Sequence, residues 1–241
     1  MLFISNLIFS IEIKTAAQDS KPKFFYKPNG QEITGICIDI MREIEKVEPD
    51  IKFSGDQTFL PLKRIEEEVK NGKLDCFVGF IKNEEREKNY TYIDIPIYYV
   101  RDVLISRKND NIKINKMEDI KKIDDNLILM VLGVGQTTKL KTLGYNIDDG
   151  GKSLEANLEK LLQGRGRFMY QSEIEVMQTI EEMGVKENVK VQLFSAEKSG
   201  RYIAFSKKTP KEKIEKVKKA LEKLRDNGKL DEIFRKYVGN L

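Results

Sequence analysis

The sequence predicts an α/β protein in which short buried strands alternate with amphipathic helices. Two apolar runs, Leu74 to Ile81 and Leu127 to Leu132, have strand length and no polar alternation. That pattern fits strands buried on both faces, as in a parallel sheet. Helical stripes separate the strands, among them Ile40, Ile44 and Val47, and Leu154, Leu158 and Leu161. At 241 residues the chain holds one large or two modest domains with ample core. Internal repeats and low-complexity linkers are absent from the sequence.

From the start, Met1 to Ser10 is apolar and uncharged, the length of an export-signal core and too short to span a bilayer. Its basic leader is missing; an ordinary first strand is the alternative. Ile11 to Thr15 alternates like a strand. Ala16 to Pro28 is a loop with an aromatic cluster, Phe24-Phe25-Tyr26, whose rings either line a site or pack the core. A helix carrying Ile40, Ile44 and Val47 ends at Pro49, and Ile51 to Phe53 is a short strand. Pro61 opens the next helix, with Leu62, Ile65 and Val69 on its apolar face. Arg64 on that helix points to a site or, with a slight edge, to solvent.

The stretch from Asn71 to Arg86 organises the rest. Asn71-Gly72 stops the helix, and the run to Ile81 is the buried strand. Asn83 is an N-cap, with Glu84 and Glu85 in the first turn, where acids suit the positive helix end. Arg86 is a cation in that same turn, just past the carboxyl end of a strand, where open α/β sheets bind ligands. Such an arginine grips a carboxylate with two parallel hydrogen bonds, or it pairs with a nearby glutamate. Spacing leaves the two readings even.

Beyond it, Tyr98 to Leu104 is a crossover and Val103 to Ser106 a strand, with a polar turn at Lys108 to Asn111. Met117 to Lys122 is a short helix. After Leu127 to Leu132 comes Gly133-Val-Gly135-Gln136-Thr137-Thr138, a glycine-rich turn into a helix. This resembles an anion cradle of free backbone N–H groups, but lacks the third glycine of a dinucleotide fingerprint. Thr137 or Thr138 is the expected N-cap. Gly164 closes the helix of Leu154, Leu158 and Leu161, and Arg167 to Gln171 is a strand. Ser172-Glu173-Ile174-Glu175 has the form of a capping box, and its helix closes at Gly184. Val189 to Phe194 is a strand, Ser195 to Gly200 a return crossover, and Tyr202 to Ser206 a strand. Thr209-Pro210-Lys211-Glu212 is a second capping box. Its helix carries Ile214, Val217, Leu221 and Leu224, and a last helix carries Ile233, Phe234 and Tyr237.

Composition excludes several functions. The net charge of +4 comes from interspersed signs, with no basic stripe interleaved with aromatics, so nucleic acid is not an expected partner. There is no histidine, which removes Ser-His triads and histidine metal sites. Two cysteines, Cys37 and Cys76, cannot make a zinc site alone. They are read as buried apolar residues, with a disulfide as the alternative. No metal or cofactor is expected.

Asn71-Gly-Lys-Leu-Asp75-Cys-Phe-Val-Gly79, then Glu84-Glu85-Arg86, then Tyr92-Ile-Asp-Ile-Pro96-Ile-Tyr-Tyr99, resembles the core pattern of the family 3 solute-binding proteins. Gly35-Ile-Cys-Ile-Asp39-Ile, Leu161-Leu-Gln-Gly164-Arg, Tyr202-Ile-Ala-Phe-Ser206 and the C-terminal helices follow in the family's order. Tyr92-Ile-Asp94 stands where the family has Phe-Ser. The resemblance implies the two-lobed type II periplasmic-binding-protein fold, each lobe a sheet flanked by helices. It implies lobe 1 at 11–99 plus 200–241, lobe 2 at 104–194, hinge crossovers at 100–103 and 195–199, and an export-signal remnant at 1–10. It also implies a monomeric, exported, periplasmic protein without catalysis, which delivers a small molecule to an ABC transporter permease. An enzyme resembling cyclohexadienyl dehydratase and a ligand-sensing module are the alternatives.

The site residues implied are Arg86, Ile81, Phe24 and Arg64 from lobe 1, and Gly135, Gln136, Thr137, Gln171, Ser172 and Glu173 from lobe 2. Amino-acid-binding members place an acidic residue at the start of the helix after the Gly-Arg-x-Asp strand, where it holds the ligand's ammonium. Aligned without gaps, Arg167 replaces the strand's Asp and Ser172 takes the anchor position. Ile81 stands where amino-acid binders often have a hydroxyl. A neutral hydroxyl compensates a buried ammonium poorly. The expected ligand is therefore an organic acid or small polar molecule without an α-ammonium, unless Glu173, one residue on, takes the anchor role.

Overall fold

The computed structural model describes residues 10–28, 30–131, 136–192 and 198–238. The chain divides into two compact units, Met1–Tyr99 with Ser199–Asn240, and Val100–Lys198. The apolar start at 1–9, Gly133 to Gly135 of the glycine-rich turn, and residues 195–197 of the return crossover lie outside the described residues.

The first unit opens with β1 (Ile11–Lys14), a small antiparallel pair β2 (Phe25–Tyr26) and β3 (Ile33–Thr34), α1 (Ile36–Val47) and β4 (Ile51–Ser54). β1 and β4 pair in parallel. Next come α2 (Leu62–Asn71), β5 (Cys76–Ile81), α3 (Glu84–Asn89), β6 (Tyr90–Tyr92) and β7 (Tyr98–Val100). Gly72 ends α2 in the left-handed region at φ 75°, the stop that Asn71-Gly72 signals.

The second unit contains β8 (Asp102–Arg107), a 3₁₀ turn at Met117–Lys122, β9 (Ile128–Val131), α4 (Gln136–Thr142) and β10 (Ile147–Gly151). It continues with α5 (Leu154–Leu162), β11 (Phe168–Ser172), α6 (Glu173–Glu182) and β12 (Val189–Gln192). Its five strands run in the order β10-β9-β11-β8-β12. β10, β9 and β11 are parallel, and β8 is antiparallel to both β11 and β12. Alternate residues of the strands feed two apolar clusters. Val103, Ile105, Leu129 and Met169 join α5 and α6, whereas Leu104, Ile128, Met130 and Phe168 join Leu140 and Tyr145. Both faces of the sheet are therefore covered.

The chain then returns to the first unit as β13 (Ser199–Ser206), α7 (Lys211–Asp226) and α8 (Lys229–Val238). β13 lies between β5 and β6, antiparallel to both. This corrects the expectation of a parallel pairing for the Leu74–Ile81 run. Cys76 to Phe80 are buried, yet their partner is antiparallel; burial on both faces reflects layering and not strand direction. The register with β13 shifts between Tyr202, opposite Phe80, and Ile203, opposite Val78, which leaves Gly79 as the extra residue of a bulge. Gly79 has φ 97°, and a Cβ there would lie 2.9 Å from both Cys37 Sγ and Lys23 Cδ. Only glycine fits.

Asp75 joins the ends of this unit. Its carboxylate accepts from Lys14 N at 2.8 Å and Lys213 Nζ at 3.1 Å, and its own N–H donates to Lys14 O at 2.8 Å. Its carbonyl accepts from Ser206 N at 2.8 Å and Thr209 Oγ1 at 2.9 Å.

Three expected caps differ from the structure. Thr209 spends its hydroxyl on Asp75, and Pro210 is the residue that caps α7. Ser172 is the last residue of β11, and its hydroxyl receives no backbone N–H of α6. The Glu175 carboxylate accepts instead from Gln171 Nε2. Thr137 and Thr138 lie inside α4, which begins one residue earlier, at Gln136. Cys37 and Cys76 are both free and buried. Burial pushes the Cys37 thiol up to about 12 and raises that of Cys76 as well, so both stay protonated and unreactive near neutral pH.

Candidate functional site

In the first unit, β5, its bulge and α3 position Arg86. Asn83 caps α3 by accepting from Arg86 N at 2.9 Å, which fixes the backbone of the arginine. Beyond the Gly79 bulge, Phe80 turns inward and Ile81 outward, at 2% and 40% exposure. The Arg86 guanidinium lies 4.6 Å from the centroid of the Phe80 ring, and Nη1 donates to Ile81 O at 3.3 Å. Nε and Nη2 both donate to one oxygen of Glu66 on α2, at 3.1 and 2.6 Å.

Two tyrosines frame this arginine. Tyr90 donates to Glu66 O at 2.9 Å, and Tyr92 donates to Ile81 O at 3.0 Å. Burial pushes the Tyr92 phenol up to about 12 despite the nearby Arg86 charge, so it remains a donor at neutral pH.

Arg86 therefore has the glutamate partner that spacing allows, but on the preceding helix and not within its own turn. The other candidates of this unit stand apart. Phe24 is fully buried against Phe77, with ring centroids 5.9 Å apart, and belongs to the core. Arg64 pairs along its own helix with Glu68 at 2.8 Å, on an exposed face. Neither reaches Arg86 in the described contacts.

In the second unit the parallel strands deliver their carboxyl ends to one side of the sheet. Gly135 lies outside the described residues, and Gln136 opens α4. Thr137 is buried, its hydroxyl 3.9 Å from Met130 Sδ. Gln171, Ser172 and Glu173 stand together at the junction of β11 and α6.

The register places Asp102 opposite Ser172, so Arg101 meets Glu173. Arg101 Nε and Nη2 donate to separate oxygens of Glu173 at 2.8 and 2.7 Å, and Glu173 N donates to Arg101 O at 2.9 Å. The Glu173 side chain is 6% exposed. Gln171 is buried, with its Oε1 unpartnered.

Arg167, which replaces the family's strand aspartate, pairs with Asp110 at 2.9 Å. That hydrogen bond holds the Asp110 carboxyl below its ordinary range.

The sequence reading missed Glu66, Tyr92 and Arg101. Only tertiary register brings them to the site residues: Glu66 is 20 positions from Arg86, and Arg101 is 72 from Glu173. Among the described residues no group of three or more His, Cys, Asp or Glu forms a metal cluster. No described helix is long and apolar enough to cross a membrane.

Comparison with known proteins places these geometries in a family context. The model of the bacterial extracellular solute-binding proteins, family 3, matches residues 13–240. The L-cystine-binding protein TcyA of Bacillus subtilis is 23% identical over 223 residues, covering 91% of this chain and 78% of that protein. The probable amino-acid-binding protein YxeM of the same organism is 25% identical over 219 residues, covering 89% and 79%. Among solved structures, the L-cystine solute receptor of Neisseria gonorrhoeae in its unliganded open conformation superposes with TM-score 0.76 at 19% identity, covering 97% of this chain and 95% of that one. The second substrate-binding domain of Lactococcus lactis GlnP, also open, gives 0.75 at 19% identity, covering 97% of each chain. These structural likenesses show the fold, the type II periplasmic-binding-protein architecture expected from the sequence.

Proposed function

This chain belongs to the bacterial extracellular solute-binding proteins of family 3, and from that premise we propose that it captures a small carboxylate-bearing molecule other than an ordinary α-amino acid. It works outside the cytoplasm as a monomer and hands its ligand to an ABC transporter permease. The observation that carries the ligand's carboxylate is the state of Arg86. Its guanidinium is stacked on Phe80, backbone-anchored through Asn83, and held by one oxygen of a glutamate whose side chain is 28% exposed. A ligand carboxylate displaces Glu66 into water at little cost and takes over its two hydrogen bonds.

A second reading, an α-amino acid ligand, is favoured by the names of the two Bacillus subtilis relatives. Two features weigh against it. The implied ammonium position holds the neutral Ser172, and the adjacent Glu173 already has its cation in Arg101.

The test is calorimetry on the purified chain, stripped of ligand by unfolding and refolding. The panel contains mono- and dicarboxylic acids, the standard amino acids and L-cystine. Micromolar or tighter binding of a carboxylic acid without an α-ammonium is expected. Binding confined to α-amino acids would replace this reading with the second. Turnover of prephenate, followed in the same samples, would replace both with an enzyme.

A further inference from the structure

We infer that Arg101 sets the ligand class admitted at the head of α6, by occupying the Glu173 carboxylate so that this carboxylate no longer serves as counter-charge to an ammonium group. The inference rests on the reading above, that the chain binds a small ligand. Four observations converge on the place. It lies where β11 runs into α6, at the carboxyl end of a parallel strand, the position at which open α/β sheets receive ligands. Ser172 gives no side-chain cap to the ten-residue helix. Glu173 has both oxygens engaged by the Arg101 fork and almost no exposure, so it cannot turn to water as a surface glutamate would. Gln171, more than nine-tenths buried beside the first turn, keeps Oε1 without a partner while its Nε2 serves Glu175.

The groups left to meet a ligand are then defined. Arg101 is 23% exposed at its side chain, and among the described residues no hydrogen bond uses its Nη1. It offers a cationic donor. Gln171 Oε1 is buried behind it. An ammonium brought up to Arg101 meets a guanidinium of like charge, which is a costly juxtaposition. A carboxamide oxygen, a hydroxyl or a second carboxylate meets a donor that matches it. The arginine selects by supplying repulsion as well as attraction.

The experiment compares matched pairs of ligands that differ only in the α-ammonium: L-glutamate against glutarate, L-aspartate against succinate, and L-glutamine against glutaramate. Calorimetric Kd values give a selectivity ratio for each pair, and circular dichroism reports folding. In the wild type the deaminated member binds more tightly by at least about tenfold. Arg101→Met, which frees the Glu173 carboxylate, moves the ratio at least about tenfold toward the amino acid. Glu173→Gln, which leaves the guanidinium uncompensated, moves it at least about tenfold the other way. If Arg101→Met does not fold, the wild-type ratio and Glu173→Gln together decide. A folded variant of either kind whose ratio stays within about threefold of wild type, about 0.65 kcal/mol, overturns the inference while leaving carboxylate binding intact. A wild type that binds the amino-acid member of a pair more tightly also overturns it, because Glu173 would then be the ammonium anchor. Failure of the wild type to bind any member of the panel overturns the binding reading, and this inference with it.

Discussion

Arg86–Glu66 in the first unit and Arg101–Glu173 in the second are chemically the same pair in two environments. The arginines are nearly equally exposed, at 21% and 23%, whereas the glutamates differ, at 28% and 6%. Arg86 uses two nitrogens on a single oxygen of a glutamate that lies along a helix surface. Arg101 closes a two-oxygen fork on a glutamate that begins a helix and is tied by its own N–H to Arg101 O. Under the proposed function, solvent access of the acid decides what each pair is for. A partly exposed glutamate is a placeholder that a ligand carboxylate can displace, because water receives the displaced charge. A buried one is a fixture, because nothing receives it.

The largest expected difference is in stability. Arg101→Met leaves a buried carboxylate without its cation and should cost about 3–5 kcal/mol. Glu66→Gln should cost no more than about 1 kcal/mol, as for a partly exposed pair. Urea denaturation of both variants measures this. Equal costs would erase the distinction drawn here.

The next effect is on binding. Arg86→Ala should weaken the carboxylate ligand by tenfold or more, since a charge-assisted, partly desolvated hydrogen bond contributes roughly 1.5–3 kcal/mol. Unchanged calorimetric affinity would remove Arg86 from the site. A smaller effect, of opposite sign, follows for Glu66→Gln. With no competing carboxylate to displace, the same ligand should bind several-fold more tightly, an increment of roughly 1 kcal/mol or less. Weaker binding in that variant would mean that Glu66 orients Arg86 and does not hold its place.

The smallest effect uses a third pair as reference. Arg167 holds the folded Asp110 carboxyl below its unfolded value, so its contribution is fully present above about pH 4 and is lost as acid protonates the folded group. Asp110→Asn should therefore flatten the fall of stability below that pH, seen in acid titration by circular dichroism. An unchanged acid limb would show that the pair does not govern it.

How much of this was legible in the sequence varies by kind of signal. Apolar runs and stripes located β5, β9, α1, α2 and α5, because burial writes its period directly into the chain. Asn83, which caps α3, and Gly72, which ends α2, were legible because their chemistry is local. β10, with the sequence Ile-Asp-Asp-Gly-Gly, was not legible. An edge strand needs no apolar alternation, and its pairing to β9 alone makes it a strand. The caps failed at Thr209 and Ser172 because a long-range partner or a strand register took the group that local rules assign to the helix. Arg86 and Glu173 were recognised as site candidates, but their partners were not. Nothing within one turn of either residue signals a glutamate on α2 or an arginine ahead of β8.

Asp75 carries a consequence for the order in which the chain can assemble. Its partners span Lys14 to Lys213, and Lys213 also donates to Glu12 O, 201 positions away. During synthesis from the N-terminus this junction cannot be completed until the segment reaching Lys213 has emerged, after the whole of the second unit. The second unit, by contrast, has its five strands within one uninterrupted stretch of chain. A single aspartate in a turn thus ties completion of the first unit to the C-terminal segment. The buried β5 strand, with its unpaired edge and apolar faces, waits for β13 as its last component.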